Sequence, residues 1–130
     1  MQENNQYRAG EQNIGFREVS VRKKFLYFFT VVTIVTTIWS YQYCQSMLCW
    51  WIMLFSAFSF TVLFLEVKYK FCILFGFFNL FNFGRLGELS DVKSREDGKK
   101  DMKRVIQITL LSLFLAVSYA SVVHWLALLK

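Results

Sequence analysis

Residues 105–129, VIQITLLSLFLAVSYASVVHWLALL, run for 25 positions without an Asp, Glu, Lys or Arg. At ~1.5 Å rise per residue, a helix of that length exceeds the ~30 Å hydrocarbon core of a bilayer. Lipid offers the backbone no hydrogen-bond partner, so a segment immersed in it must satisfy every N–H and C=O internally. A helix does this locally. The stretch therefore predicts a membrane-spanning helix over 105–129, and the rest of the chain is constrained by where its two ends lie.

Two more runs read the same way. FLYFFTVVTIVTTIWSY begins at Phe25 and LCWWIMLFSAFSFTVLFL begins at Leu48, and each is free of charge. They predict spans over 25–43 and 48–66, joined by a short uncharged link. Trp39, Tyr41, Tyr43, Trp50 and Trp51 crowd around that link, as expected where amphipathic rings anchor at a membrane interface. A soluble domain would show apolar stripes of period 3.6 or 2. Here the apolar runs are continuous and the charges lie between them, in a chain that is 55% hydrophobic with 15 Phe and no Pro.

The 14 residues 71–84, FCILFGFFNLFNFG, are apolar but cover only ~21 Å at helical rise, short of a crossing. The expected fold class is thus an all-α integral membrane protein with three transmembrane helices and one short Phe-rich helix, interfacial or re-entrant. The chain divides into a polar, solvated tail over 1–24 and a membrane domain over 25–130.

Charge selects the arrangement. If 71–84 does not cross, fourteen of the fifteen Lys and Arg share one side and only Lys130 lies opposite. The positive-inside bias favours that layout and puts the N-terminus in the cytoplasm or its organellar equivalent. Residues 85–104 then form a basic cytoplasmic loop with seven basic and five acidic side chains. Within it Lys99, Lys100, Lys103 and Arg104 precede the last span and suit anionic lipid headgroups. No basic stretch is interleaved with aromatics outside the apolar runs, so a lipid surface explains the net charge of +6 better than nucleic acid does.

Polar residues inside the runs mark candidate sites. Thr30, Thr33, Thr37 and Ser40 recur on one helix face, and Ser112, Ala116 and Ala120 form a small-xxx-small ladder; both are expected to pack against helices. Asn79 and Asn82 need partners and should face protein, headgroups or water. His124 is an ionisable group inside a span and hence a functional candidate. Glu66 is read as a boundary residue with Lys68 or Lys70 as its charge partner. Cys44, Cys49 and Cys72 form no C-x-x-C pair and no metal spacing. They are expected to be reduced, a Cys44–Cys49 bridge being open only if that face is oxidising and the tight turn allows its geometry.

No phosphate loop, nucleophile elbow or metal-ligand pattern is present, so no cofactor and no enzymatic activity are expected. The expectation is a small non-catalytic membrane protein that binds other membrane proteins or copies of itself, as accessory subunit or inhibitor of a complex. Alternatives are a homo-oligomeric, holin-like pore lined by the threonine face, or a small transporter using His124 and the asparagines. The order of basic tail, two spans, basic loop and final span resembles the small immunity proteins that protect bacteria against pore-forming bacteriocins. That likeness lies in layout and charge, and no functional residue carries over from it. A bacterial inner membrane or an organellar or endomembrane equivalent is the expected location.

Overall fold

The structure is a computed structural model and describes residues 6–44 and 46–130. It is mostly helical, with three helices long and apolar enough to span a membrane. The elements run α1 (Phe16–Tyr43), α2 (Met47–Tyr69), α3 (Ile73–Phe77), β1 (Leu80–Phe81), β2 (Ser90–Asp91) and α4 (Arg95–Leu128). Each apolar run lies inside one of the long helices, save for Leu129, which caps α4. At α1 and α4 the helix also takes in the charged residues before the run, because nothing in 16–24 or 95–104 breaks helical geometry.

α1 and α2 form a hairpin, and α4 returns parallel to α1, packing chiefly along α2. Small side chains set these contacts. Ser112, Ala116 and Ala120 are fully buried, and the Thr61 hydroxyl of α2 donates to the Ser112 carbonyl at 3.3 Å. The ladder on α4 thus meets α2, and the threonine face of α1 turns to α2 as well: Thr33 donates to the Ser56 carbonyl at 3.2 Å.

The larger core sits at the end where α1 and α4 begin. Leu65, Phe71, Val105 and Ile108 cluster there, beside Ile14, Val19 and Cys72. α2 stops where Lys70 adopts a left-handed conformation (φ 51°), which reverses the chain into α3. Gly76 permits the close approach of α3 to α4, since a Cβ there would lie 2.7 Å from Val105 Cγ2.

Four expectations are corrected. The Phe-rich run 71–84 is not one half-embedded helix: α3 has five residues, then Asn79 turns at φ 56° and β1 pairs antiparallel with β2, Leu80 opposite Asp91. This two-stranded pairing also means the fold is not purely α. Residues 85–104 are not one solvated loop, since they contain β2 and the first turns of α4. The N-terminal segment is not simply solvated. Asn13 and Ile14 are fully buried, and residues 7–15 form a strap across the bundle end. The reason is pairing at long range: the Asn13 and Ile14 N–H groups both donate to the Lys70 carbonyl, and Asn82 N–H donates to the Asn13 carbonyl at 3.0 Å.

The fourth correction concerns Cys44 and Cys49, which are joined in a disulfide. The extended backbone at Cys44 and the start of α2 at Met47 bring their Cα atoms to 6.2 Å, within the range a bridge needs.

Candidate functional site

Two groupings stand out, a polar cap under the strap and a slot between the long helices. In the cap, Arg22 on the second turn of α1 reaches Glu66 near the end of α2. Arg22 Nη1 donates to Glu66 Oε2 at 3.0 Å, and Ile73 N–H donates to Glu66 Oε1 at 2.9 Å. Glu18, one turn before Arg22, lies 4.0 Å from its other terminal nitrogen and accepts from Asn82 Nδ2 at 3.0 Å. Phe75 of α3 packs beneath the guanidinium, 5.7 Å from it to the ring centroid. The charge partner of Glu66 is therefore Arg22 and not Lys68 or Lys70, whose ammonium groups lie over the rings of Tyr69 and Phe16.

Beside this network, Asn13 pairs with the backbone of Cys72 through both amide atoms, accepting from its N–H at 2.7 Å and donating to its carbonyl at 3.0 Å. Burial of the Cys72 thiol pushes its pKa up to about 11. At the far edge, Asp101 on the second turn of α4 accepts from the Tyr7 hydroxyl at 2.8 Å and from Gly10 N–H at 2.6 Å. Gly10 has φ 71°, a left-handed turn that aims its N–H at that carboxylate.

Asn82 belongs to the cap. Its amide bonds Glu18, the Arg85 carbonyl and Gly84 N–H, and it is 1% exposed. Asn79 does not join it. Its carbonyl accepts from Val92 N–H at 2.8 Å, and its side chain fills the space beside Gly98. His124 lies half-buried toward the opposite end of α4, so the structure does not bring it near either asparagine. Lys99, Lys100 and Lys103 are exposed, while Arg104 stacks 4.3 Å above the Tyr69 ring.

The slot lies midway along the helices and encloses about 400 Å³. Thr30, Thr33 and Ile34 of α1 form one wall, and Leu115 and Tyr119 of α4 the other. Ala57, Phe60 and Thr61 of α2 lie between them. Toward the disulfide end, Thr37 and the Tyr119 hydroxyl meet at 2.7 Å and tie α1 to α4. Ser40, the last residue of the hydroxyl face, is buried near that end, and its hydroxyl has no hydrogen-bond partner among the described residues.

Sequence reasoning placed Thr30 and Thr33 on a packing face but missed Thr61 and Tyr119. A phenol in the middle of an apolar run was the available signal, because a hydroxyl set in apolar surroundings requires a partner. It also missed Tyr7, Asn13 and Asp101, which carry no local pattern.

These features define a bundle of three helices with the length and composition of membrane spans, closed at one end by a polar, strapped cap. No protein-family model, curated protein or solved structure matches the chain.

Proposed function

We propose that the chain is an integral membrane protein whose strapped end faces the cytoplasm, or its organellar equivalent, and that it acts without catalysis by binding another membrane protein as accessory subunit or inhibitor. The observation that carries the partner reading is the lopsided packing of α1. Of its 28 residues only Val19 and Ser40 are buried, so the side turned from α2 offers a broad apolar surface with Phe25, Phe28, Val31 and Val35 exposed. That surface is free to receive a second helix, whose association in a bilayer rests on van der Waals packing.

Two features support the orientation. The cationic side chains gather at the strapped end, and a disulfide at the other end suits an oxidising compartment. The acid–base groups of the cap are bonded to one another, which favours a structural over a chemical role for them. A pore lined by the threonine face is disfavoured because the hydroxyls of Thr30, Thr33 and Thr37 already bond within the chain and Ser40 is buried.

Photo-crosslinking in native membranes from residues placed at Val31 and Val35 tests the reading. Adducts to another protein, or to a second copy, are expected. Lipid adducts alone would remove the partner reading, and thiol labelling of a cysteine near position 95 from the side opposite the N-terminus would remove the topology.

A further inference from the structure

The slot between α1, α2 and α4 has a geometry that selects its occupant. Four of its lining side chains carry hydroxyls, and each is engaged within the protein. Thr30 donates to the Leu26 carbonyl at 2.7 Å and Thr33 to the Phe29 carbonyl at 2.7 Å. Thr61 donates to the Ala57 carbonyl at 2.9 Å, and Tyr119 bonds Thr37. What remains facing the space is carbon surface, so the slot offers nothing to a ligand that must form hydrogen bonds there.

Width excludes a helix. The 2.7 Å bond between Thr37 and Tyr119 holds α1 and α4 together at one end of the slot while both lie against α2. A third helix, ~10 Å across, does not fit between helices tied that closely, whereas an unbranched hydrocarbon chain does.

Charge supplies the other half of the occupant. Lys23 is exposed and lies seven residues before Thr30 and eleven before Ile34, hence on the same face of α1. It is ~10 Å from Thr30 along the axis, comparable with the depth separating a lipid headgroup from its upper methylenes. The nearby acids Glu18 and Glu66 are turned toward Arg22, so they do not neutralise Lys23.

We propose that the slot binds one acyl chain of an anionic phospholipid whose headgroup is held at Lys23. The site rests on the membrane placement proposed above but not on any protein partner.

The test uses the full chain in nanodiscs containing phosphatidylglycerol with a mid-chain diazirine, or phosphatidylcholine with the same chain, and maps adducts by peptide mass spectrometry. Co-elution with the disc reports membrane placement separately, and no other membrane protein is present. Adducts are expected to concentrate at Ile34 and Leu115 over the exposed controls Val31 and Val122. One lysine near the surface should give phosphatidylglycerol about a fivefold advantage, which Lys23→Gln removes. Ile34→Trp, at an exposed rim position, should abolish the concentration of adducts without disturbing the core, and Val31→Trp should not. Equal labelling of Ile34 and Val31, equal labelling by the two lipids, or adducts that survive Ile34→Trp in a protein of unchanged helix content would overturn the proposal.

Discussion

Arg22 and Glu66, 44 residues apart in the chain, meet at 3.0 Å with side chains only 17% and 4% exposed. The contact fixes α1 against the end of α2, and the second Glu66 oxygen orients the start of α3. A charge pair at this depth is weak evidence of net stabilisation, because both ions lose hydration, but it makes the loss of either partner costly.

Arg22→Ala should therefore destabilise the protein by about 3 kcal/mol, the lower end for a buried pair because the guanidinium is partly exposed. Arg22→Met combined with Glu66→Gln should recover most of that loss, since the new amide oxygen still accepts from Ile73 N–H. Thermal unfolding of the unaltered protein and the two variants in one detergent checks the order.

Asn13→Ala should leave the Cys72 N–H without a partner in a buried setting, while the Cys72 carbonyl keeps its bond from Gly76 N–H, at a cost of about 1–3 kcal/mol. The strap should loosen before the bundle does. Faster hydrogen exchange at residues 71–77 and proteolytic cutting within 6–15, with the long helices still protected, is the expected pattern.

Thiol counting separates the three cysteines. The native, unreduced protein should present no reactive thiol at neutral pH, because Cys44 and Cys49 are bridged and Cys72 is fully buried with its pKa pushed up to about 11. Reduction should expose Cys44 to maleimide, whereas Cys49, only 1% exposed, and Cys72 should label once denaturant is added as well. A native Cys72 that labels at the rate of an exposed thiol would contradict the buried cap.

Strap docking should weaken at high pH. Burial, and then the Asp101 carboxylate that accepts its hydrogen bond, push the Tyr7 hydroxyl pKa above the ordinary tyrosine range. The folded form therefore holds that proton more tightly than the unfolded form does. Its contribution is complete below about pH 10 and falls as pH rises through the folded value. Tyr7→Phe should remove this dependence and cost about 1 kcal/mol at neutral pH, as read from protease sensitivity of the strap against pH.

Ser112 is fully buried, and its hydroxyl has no partner among the described residues. Ser112→Ala should be neutral or stabilising by up to about 1 kcal/mol, because it removes an unpaired polar atom and keeps the side chain small. Ser112→Leu should instead separate α4 from α2 and lower the unfolding temperature sharply. If both substitutions have the same effect, the close helix approach is not what that position maintains.

The three long helices were legible from the sequence because a continuous uncharged run is a local property: its length and composition can be compared with bilayer dimensions without knowing any contact. The same holds for the ladder of Ser112, Ala116 and Ala120, whose periodicity identifies a packing face on one helix. Which helix that face meets was not legible, since small residues permit close approach without naming the partner.

What lies beyond the runs was decided by tertiary structure. Tyr7, Asn13, Asn82 and Asp101 are polar residues without periodicity, and each is ordered by a hydrogen bond whose other end is remote in sequence, such as the 94 residues between Tyr7 and Asp101. The short helix α3 and the left-handed turn at Asn79 likewise follow from the space under α1 and α4, where Phe71 and Gly76 must fit against Val105. The sequence alone determined which segments prefer an apolar surrounding. Only the fold determined how the polar remainder closes one end, because solvent preference is additive along the chain whereas hydrogen-bond pairing exists only once two distant segments are in place.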